Sequence, residues 1–259
     1  MDLGLSGKVA MVAAASKGIG LAVAKALAAE GCLVSICARG EETLEAAAAE
    51  VGEETRSYVV DVSSPEDLAW WFEQTRADLG APSILVTNTG GPPAGGLSEM
   101  TDDKWEAGFQ STLMNVVRMV RLAQDDMRAA KWGRIVHITS VVAKDPNAIL
   151  PISSTLRTGL ISLTRLHAKE LAPAGVTVNA VLPGHTRTDR QTHLAEVRAS
   201  REGITVEEAL RRQGEAVPVG RLAEPEEIAS VVAFLCGQPA SYVTGQSILV
   251  DGGIAGGLG

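Results

Sequence analysis

Ala13-Ala14-Ala15-Ser16-Lys17-Gly18-Ile19-Gly20 follows a short apolar run and opens an alanine-rich stretch. Glycines at a strand-to-helix turn let the backbone approach a ligand closely, and the helix N-terminus behind them stabilises negative charge. That combination suits a pyrophosphate, with Ser16, Lys17, Gly18, Ile19 and Gly20 as candidate contacts. The alternative is a tight turn that only packs helix on strand. A second apolar run ends at Ala38-Arg39. A site for an unphosphorylated adenosine ribose wants an acid there to accept the 2′-hydroxyl, and the chain offers none. Lys17 and Arg39 could instead converge on a 2′-phosphate through charge-assisted hydrogen bonds. The plainer reading is two solvated surface cations. On this reasoning the expected cofactor is NADPH, favoured over NADH.

Strand-like and helix-like segments alternate along the whole chain and must hold these residues. The run at 9–15 and the segments CLVSICAR, SYVVDV, SILVTNT, RIVHITSVV, VTVNAVLP and SILVDGG read as strands. LAVAKALAAEG with its stop at Gly31, EETLEAAAAEVG, the stretch from Thr101 to Lys131, and the regions 153–172 and 225–236 read as helices. Ser64-Pro65-Glu66-Asp67 carries an N-cap, a proline at the first helical position and an acidic first turn. The pattern predicts an α/β fold of Rossmann type. A doubly wound sheet of about seven parallel strands would have helices on both faces. Residues 1–259 read as one domain without repeat or linker. Residues 185–215 are the least regular part and are expected to be a substrate-loop insertion.

Hydrophobic residues make up 46% of the chain and aromatics only 3%, so the core must be built from Ala, Val, Leu and Ile. The formal charge of −8 argues against nucleic acid as a partner. No apolar run approaches the roughly 18 residues needed to span a bilayer, and the N-terminus lacks the basic and apolar regions of a signal peptide. Cys32, Cys37 and Cys236 form no CxxC pair, and no metal site is indicated. A cytoplasmic protein with reduced thiols and a small-molecule substrate is the expectation.

Further motifs lie at the ends of the expected strands. Asp61-Val62 follows the third, Thr87-Asn88-Thr89-Gly90 the fourth, and Ser140 ends the fifth. Pro183-Gly184, with Thr188 beyond, follows the sixth; Tyr242-Val243-Thr244-Gly245-Gln246 and Val250-Asp251-Gly252-Gly253 close the chain. Over nearly its whole length the chain resembles the short-chain dehydrogenase/reductase family, and most closely its 3-oxoacyl-carrier-protein reductase-like branch. The resemblance implies that Asp61 and Val62 hold the adenine, and that Asn88, Gly90, Pro183, Gly184 and Thr188 lie along the cofactor. It also implies a homo-oligomer, a tetramer built through long helices and the C-terminal segment. The apolar stripes in LISLTRLHAKEL and ASVVAFLCG suit those contacts, and suit packing on the protein's own sheet equally.

The catalytic tetrad of that family is Asn, Ser, Tyr and Lys. By the same register the chain has Thr112, Ser140, Ser153 and Arg157, so only the serine is retained. In the family the serine polarises the carbonyl and the tyrosine passes a proton, while the lysine tunes the tyrosine and holds the nicotinamide ribose. An aliphatic hydroxyl is far less acidic than a phenol, which makes Ser153 a poor acid. Arg157 stays protonated; it could hold the ribose or grip an anionic substrate, or the pair could simply pack the helix start. Neither tyrosine can substitute, since Tyr58 begins the third strand and Tyr242 belongs to the C-terminal signature. His185 is the candidate replacement acid, with water as the other. Asn115 lies one turn beyond Thr112 and His137 inside a strand. The expected function is an atypical NADPH-dependent reductase of a carbonyl, 3-oxoacyl-like or another ketone. A nucleotide-binding protein without turnover and a non-redox lyase or isomerase are the alternatives. Nothing in GGPPAGG or in 185–215 identifies the substrate.

Overall fold

Short runs of Val, Ile, Leu and Ala bounded by turns make strands that can be buried on both faces. In the computed structural model, which describes residues 1–256, these are β1 (Val9–Val12), β2 (Leu33–Ala38), β3 (Arg56–Val59), β4 (Ile84–Thr87), β5 (Gly133–Ile138), β6 (Val176–Pro183) and β7 (Ser247–Val250). They form one parallel sheet in the order β3-β2-β1-β4-β5-β6-β7. The helices are α1 (Gly18–Ala29), α2 (Glu41–Val51), α3 (Pro65–Asp78), α4 (Asp102–Phe109), α5 (Asn115–Ala130), α6 (Pro151–Leu171), α7 (Asp189–Glu202), α8 (Val206–Glu215) and α9 (Pro225–Cys236). Side chains alternate across β1: Ala10 and Val12 pack with α1, α2 and α9, while Met11 and Ala13 face α3, α5 and α6. The strand order reverses between β1 and β4, which opens a crevice at the carboxyl ends of the strands.

Local signals behave as their chemistry requires. Ser64 Oγ accepts the Asp67 N–H at 3.1 Å and starts α3. Gly31 turns the chain after α1 at φ +83°. The apolar run at 9–15 gives a strand only to Val12, because Ala14 adopts φ +49° and bends the backbone toward α1. The long helix expected over 101–131 is present but broken in register: five residues, Gln110–Met114, form a π-turn between α4 and α5.

The segment 185–215 differs from expectation. It is not irregular but a pair of helices, α7 and α8, with a small core of Ala195, Ala199 and Ala209. Thr188 and Thr205 cap their N-termini, accepting from the N–H groups of Gln191 and Glu208, and Gly203 closes α7 at φ +66°. The apolar stripes of α6 and α9 pack mainly on the sheet, through Leu160, Leu171, Ile228 and Val232. Leu166 and Phe234 remain exposed. No described helix is long and apolar enough to cross a membrane. The three cysteines are free and buried, and burial pushes the Cys32 and Cys37 thiols up to about 12.

Candidate active site

A cleft of about 1080 Å³ lies over the reversal in strand order. The turn after β1 contributes Ser16, Lys17, Gly18 and Ile19 to its wall. Gly18 sits at φ +57°, a conformation that a side chain would strain. Gly20 does not line the cleft but sets its shape. A Cβ there would lie 2.5 Å from the Ala14 carbonyl oxygen and 2.8 Å from Asn88 Nδ2, so only glycine lets α1 sit this close to the sheet. Asn88 donates to that same Ala14 carbonyl at 3.1 Å and ties the end of β4 to the turn. Gly90, Pro183, Gly184 and Thr188 also line the cleft, Thr188 close against Gly18. A Cβ on Gly184 would come within 2.7 Å of Asp251 Cα.

At one end the cleft is bounded by Arg39, Asp61 and Val62. Burial disfavours the Asp61 charge, but bonds from the Ser63 hydroxyl and N–H, together with the charge of Arg39, hold its carboxyl below the usual carboxylate range. Arg39 makes no ion pair within 4 Å among the described residues. Lys17 is differently placed from expectation. Its Nζ pairs with Asp189 at 2.6 Å, both groups exposed, so of Lys17 and Arg39 it is Arg39 that has no ion pair among the described residues.

At the other end Ser140, Ser153 and Arg157 line the same cleft. Ser140 ends the turn after β5 and accepts the Val142 N–H at 3.3 Å. Ser153 and Arg157 share the buried face of α6. The Arg157 guanidinium donates from Nε to Ser153 Oγ at 3.1 Å, and from Nη1 to the carbonyls of Ile138 and Thr139 at 3.2 and 2.8 Å. Burial, then the charge of Arg190, pushes its pKa down to about 10, so it remains a cation at neutral pH.

Neither Thr112 nor His185 lines the cleft. Thr112 lies in the π-turn, fully buried, with its hydroxyl unpartnered. His185 does not line the cleft, and burial, then the charge of Arg198, holds it below its ordinary value. At pH 7 it is a neutral imidazole, poorly suited to donate a proton. Asn115 is buried, its Oδ1 accepting the Val116 N–H. His137 bonds the Thr87 hydroxyl through Nδ1 at 2.9 Å, deep in the sheet. Arg190 joins the cleft instead, donating to the Pro92 carbonyl at 2.6 Å. A cation in the first turn of α7 opposes the helix dipole, and that mismatch is the one sequence signal that could have singled it out.

A family model described as Enoyl-(Acyl carrier protein) reductase matches residues 13–255. The chain belongs to the short-chain dehydrogenase/reductase family of oxidoreductases. It is 38% identical to the 3-oxoacyl-[acyl-carrier-protein] reductase of Pseudomonas aeruginosa, over 97% of this chain and 99% of that protein. The Escherichia coli protein of the same name is 34% identical, over 97% and 99%. Among solved structures, the L-sorbose reductase of Gluconobacter frateurii, complexed with NADPH and L-sorbose, superposes with a TM-score of 0.94 at 32% identity, covering all of both chains. An actinorhodin polyketide ketoreductase with NADPH gives 0.94 at 33%, over 99% and 100%. The seven-stranded sheet thus has its counterparts among short-chain reductases.

Proposed function

We propose that this family member is an NADPH-dependent reductase of a ketone carbonyl, working without the family's tyrosine and lysine. The observation that carries the reading is Arg39, unpaired at the end of β2 where an NADH site would present an acid. The residues fit a phosphorylated dinucleotide along the cleft. Ser16, Gly18 and Ile19 offer the open turn and helix N-terminus to the pyrophosphate, Arg39 faces the 2′-phosphate, and Asp61 and Val62 border the adenine. Asn88, Gly90, Pro183, Gly184 and Thr188 line the remainder. The cofactor, when bound, supplies the hydride.

The protein's own part is to hold the carbonyl and stabilise the charge developing on its oxygen. Ser140 Oγ accepts one weak backbone bond and keeps its hydrogen to donate. Ser153 Oγ accepts from Arg157, which likewise leaves its hydrogen free and makes it a stronger donor. Two hydroxyls backed by a buried guanidinium form an oxyanion hole rather than an acid. With His185 outside the cleft, the proton comes from water reaching the carbonyl oxygen. Losing a positioned acid costs roughly 10²–10⁴-fold in rate, so slow turnover is expected rather than none.

Calorimetric titration with NADPH and NADH, followed by NADPH oxidation with a ketone panel, tests the reading. NADPH should bind at least about tenfold tighter than NADH, and Ser140→Ala should remove turnover while sparing cofactor affinity. Tight NADPH binding without oxidation of any ketone would favour a nucleotide-binding protein without turnover. No binding of either nucleotide would sink the proposal.

A further inference from the structure

Two arginines converge on the reacting end of the cleft and neither has an acid beside it. Arg157 and Arg190 arrive from α6 and α7, and the charge of Arg190 acts on Arg157. Among the described residues neither guanidinium has a carboxylate within ion-pair distance. The cleft's two carboxylates are engaged elsewhere, Asp61 by hydrogen bonds from Ser63 and Asp189 with Lys17. Burial disfavours both arginine charges, yet both side chains are fixed by neutral carbonyl acceptors that cannot neutralise them.

Burying like charges together is unfavourable unless an anion offsets them. The donors left over show where that anion would sit. Arg157 Nη2 and Arg190 Nε and Nη1 make no hydrogen bond to a described residue, and none of them is sealed from the cleft. Arg157 bonds Ser153 through Nε, and Arg190 lines the same cleft from α7 while bonded to Pro92. A planar, doubly accepting oxyanion matches such donors better than a hydroxyl does. Ser153, shorter by a ring than a tyrosine, leaves space for it.

We propose that Arg157 and Arg190 form an anion subsite that grips the carboxylate of a small keto acid while its ketone oxygen faces Ser140 and Ser153. The inference rests on the reductase reading for the ketone, but the subsite itself does not require turnover. It assigns the substrate to free oxo acids, not to acyl thioesters, whose carboxyl charge is masked.

The test compares acetoacetate, 2-oxobutanoate and levulinate, each with its methyl ester, by calorimetric titration of the full-length protein with and without NADPH. At least one acid should bind about tenfold or more tighter than its ester. Arg157 is fixed by three hydrogen bonds, and its loss risks the fold, so the variants are Arg190→Gln and Gly91→Ala. A Cβ at position 91 would lie 2.9 Å from Arg190 Nε and Nη2 and push the guanidinium aside without removing its charge. Both variants should cut acid affinity about tenfold and leave ester affinity unchanged. Equal binding of every acid and ester, including no binding of either, overturns the subsite. So does a loss of NADPH affinity in Arg190→Gln with the acid preference intact, since the guanidinium would then serve the cofactor. Acid-selective binding without NADPH oxidation supports the subsite and sinks only the reductase reading.

Discussion

At φ +49° Ala14 occupies the left-handed region, where its Cβ crowds the next carbonyl at a cost of about 1–2 kcal/mol. Glycine would adopt this conformation without that cost, and the strain is visible only in the backbone. The conformation is not optional, because the Ala14 carbonyl must meet Asn88 and pass close to Gly20. Ala14→Gly should therefore stabilise the protein. The relief is partly offset by the greater freedom of an unfolded glycine, worth about 0.4–1 kcal/mol, so the net gain is about 0.5–1 kcal/mol. For a chain of this size that raises Tm by roughly 1–4 °C in a calorimetric scan. A fall in Tm would mean that the Ala14 methyl makes contacts worth more than the strain. At the reacting end Ser153 and Arg157 form a bonded pair on one helix face, so what each can do depends on the other.

Between elements, β4 and β5 place Thr87 opposite His137, and their side chains bond across the ladder. His137 Nε2 has no partner, and the ring lies 6.1 Å from that of His167 on α6. Burial, then the charge of His167, pushes the His137 pKa down to about 3 from 6.5. The folded state therefore keeps this imidazole neutral while the unfolded chain takes up a proton below pH 6.5. Stability from this group is complete above pH 6.5 and is lost as pH falls toward 3, by on the order of 2 kcal/mol near pH 4.5. His137→Gln retains a partner for Thr87 and should flatten the fall in Tm between pH 6.5 and 4.5; parallel profiles would exclude His137 as the cause. The same long-range character separates what could be read in advance from what could not. The alternation of seven strands with helices, the cap at Ser64, and the turn from Ser16 to Gly20 are written in neighbouring residues, and the structure has them. The helices α7 and α8 were also locally signalled, by Thr205 and Glu208, but the segment's polarity obscured a small core of three alanines with Ile204, Val206 and Leu210 packed against them. Arg190 was legible only as a cation misplaced in a first helical turn, because its role comes from Pro92 and Gly91 on the loop after β4 and from Arg157 on α6, which adjoin only after folding.

Across the whole molecule the charge is −8, yet the cleft has the opposite sign. Lys17, Arg39, Arg118, Arg157 and Arg190 line it against only Asp61 and Asp189. An acidic exterior repels anions in general, while a cationic crevice with low-dielectric walls focuses them at its mouth. A nucleotide with an extra phosphate should feel that difference more than one without it. Raising ionic strength from about 0.01 M to 0.15 M shortens the screening length from roughly 30 Å to 8 Å. NADPH affinity should fall by roughly tenfold over this range and NADH affinity by only a few-fold. Arg39→Ser should bring the two slopes together, because the group facing the 2′-phosphate is gone, and should leave NADH affinity nearly unchanged. Fluorescence titrations of both nucleotides at several salt concentrations, on both proteins, give the slopes directly. Parallel slopes in the wild type would place the 2′-phosphate in solvent. Slopes that converge only when Lys17 is replaced would mean that nucleotide binding breaks the Lys17–Asp189 pair and recruits that lysine instead.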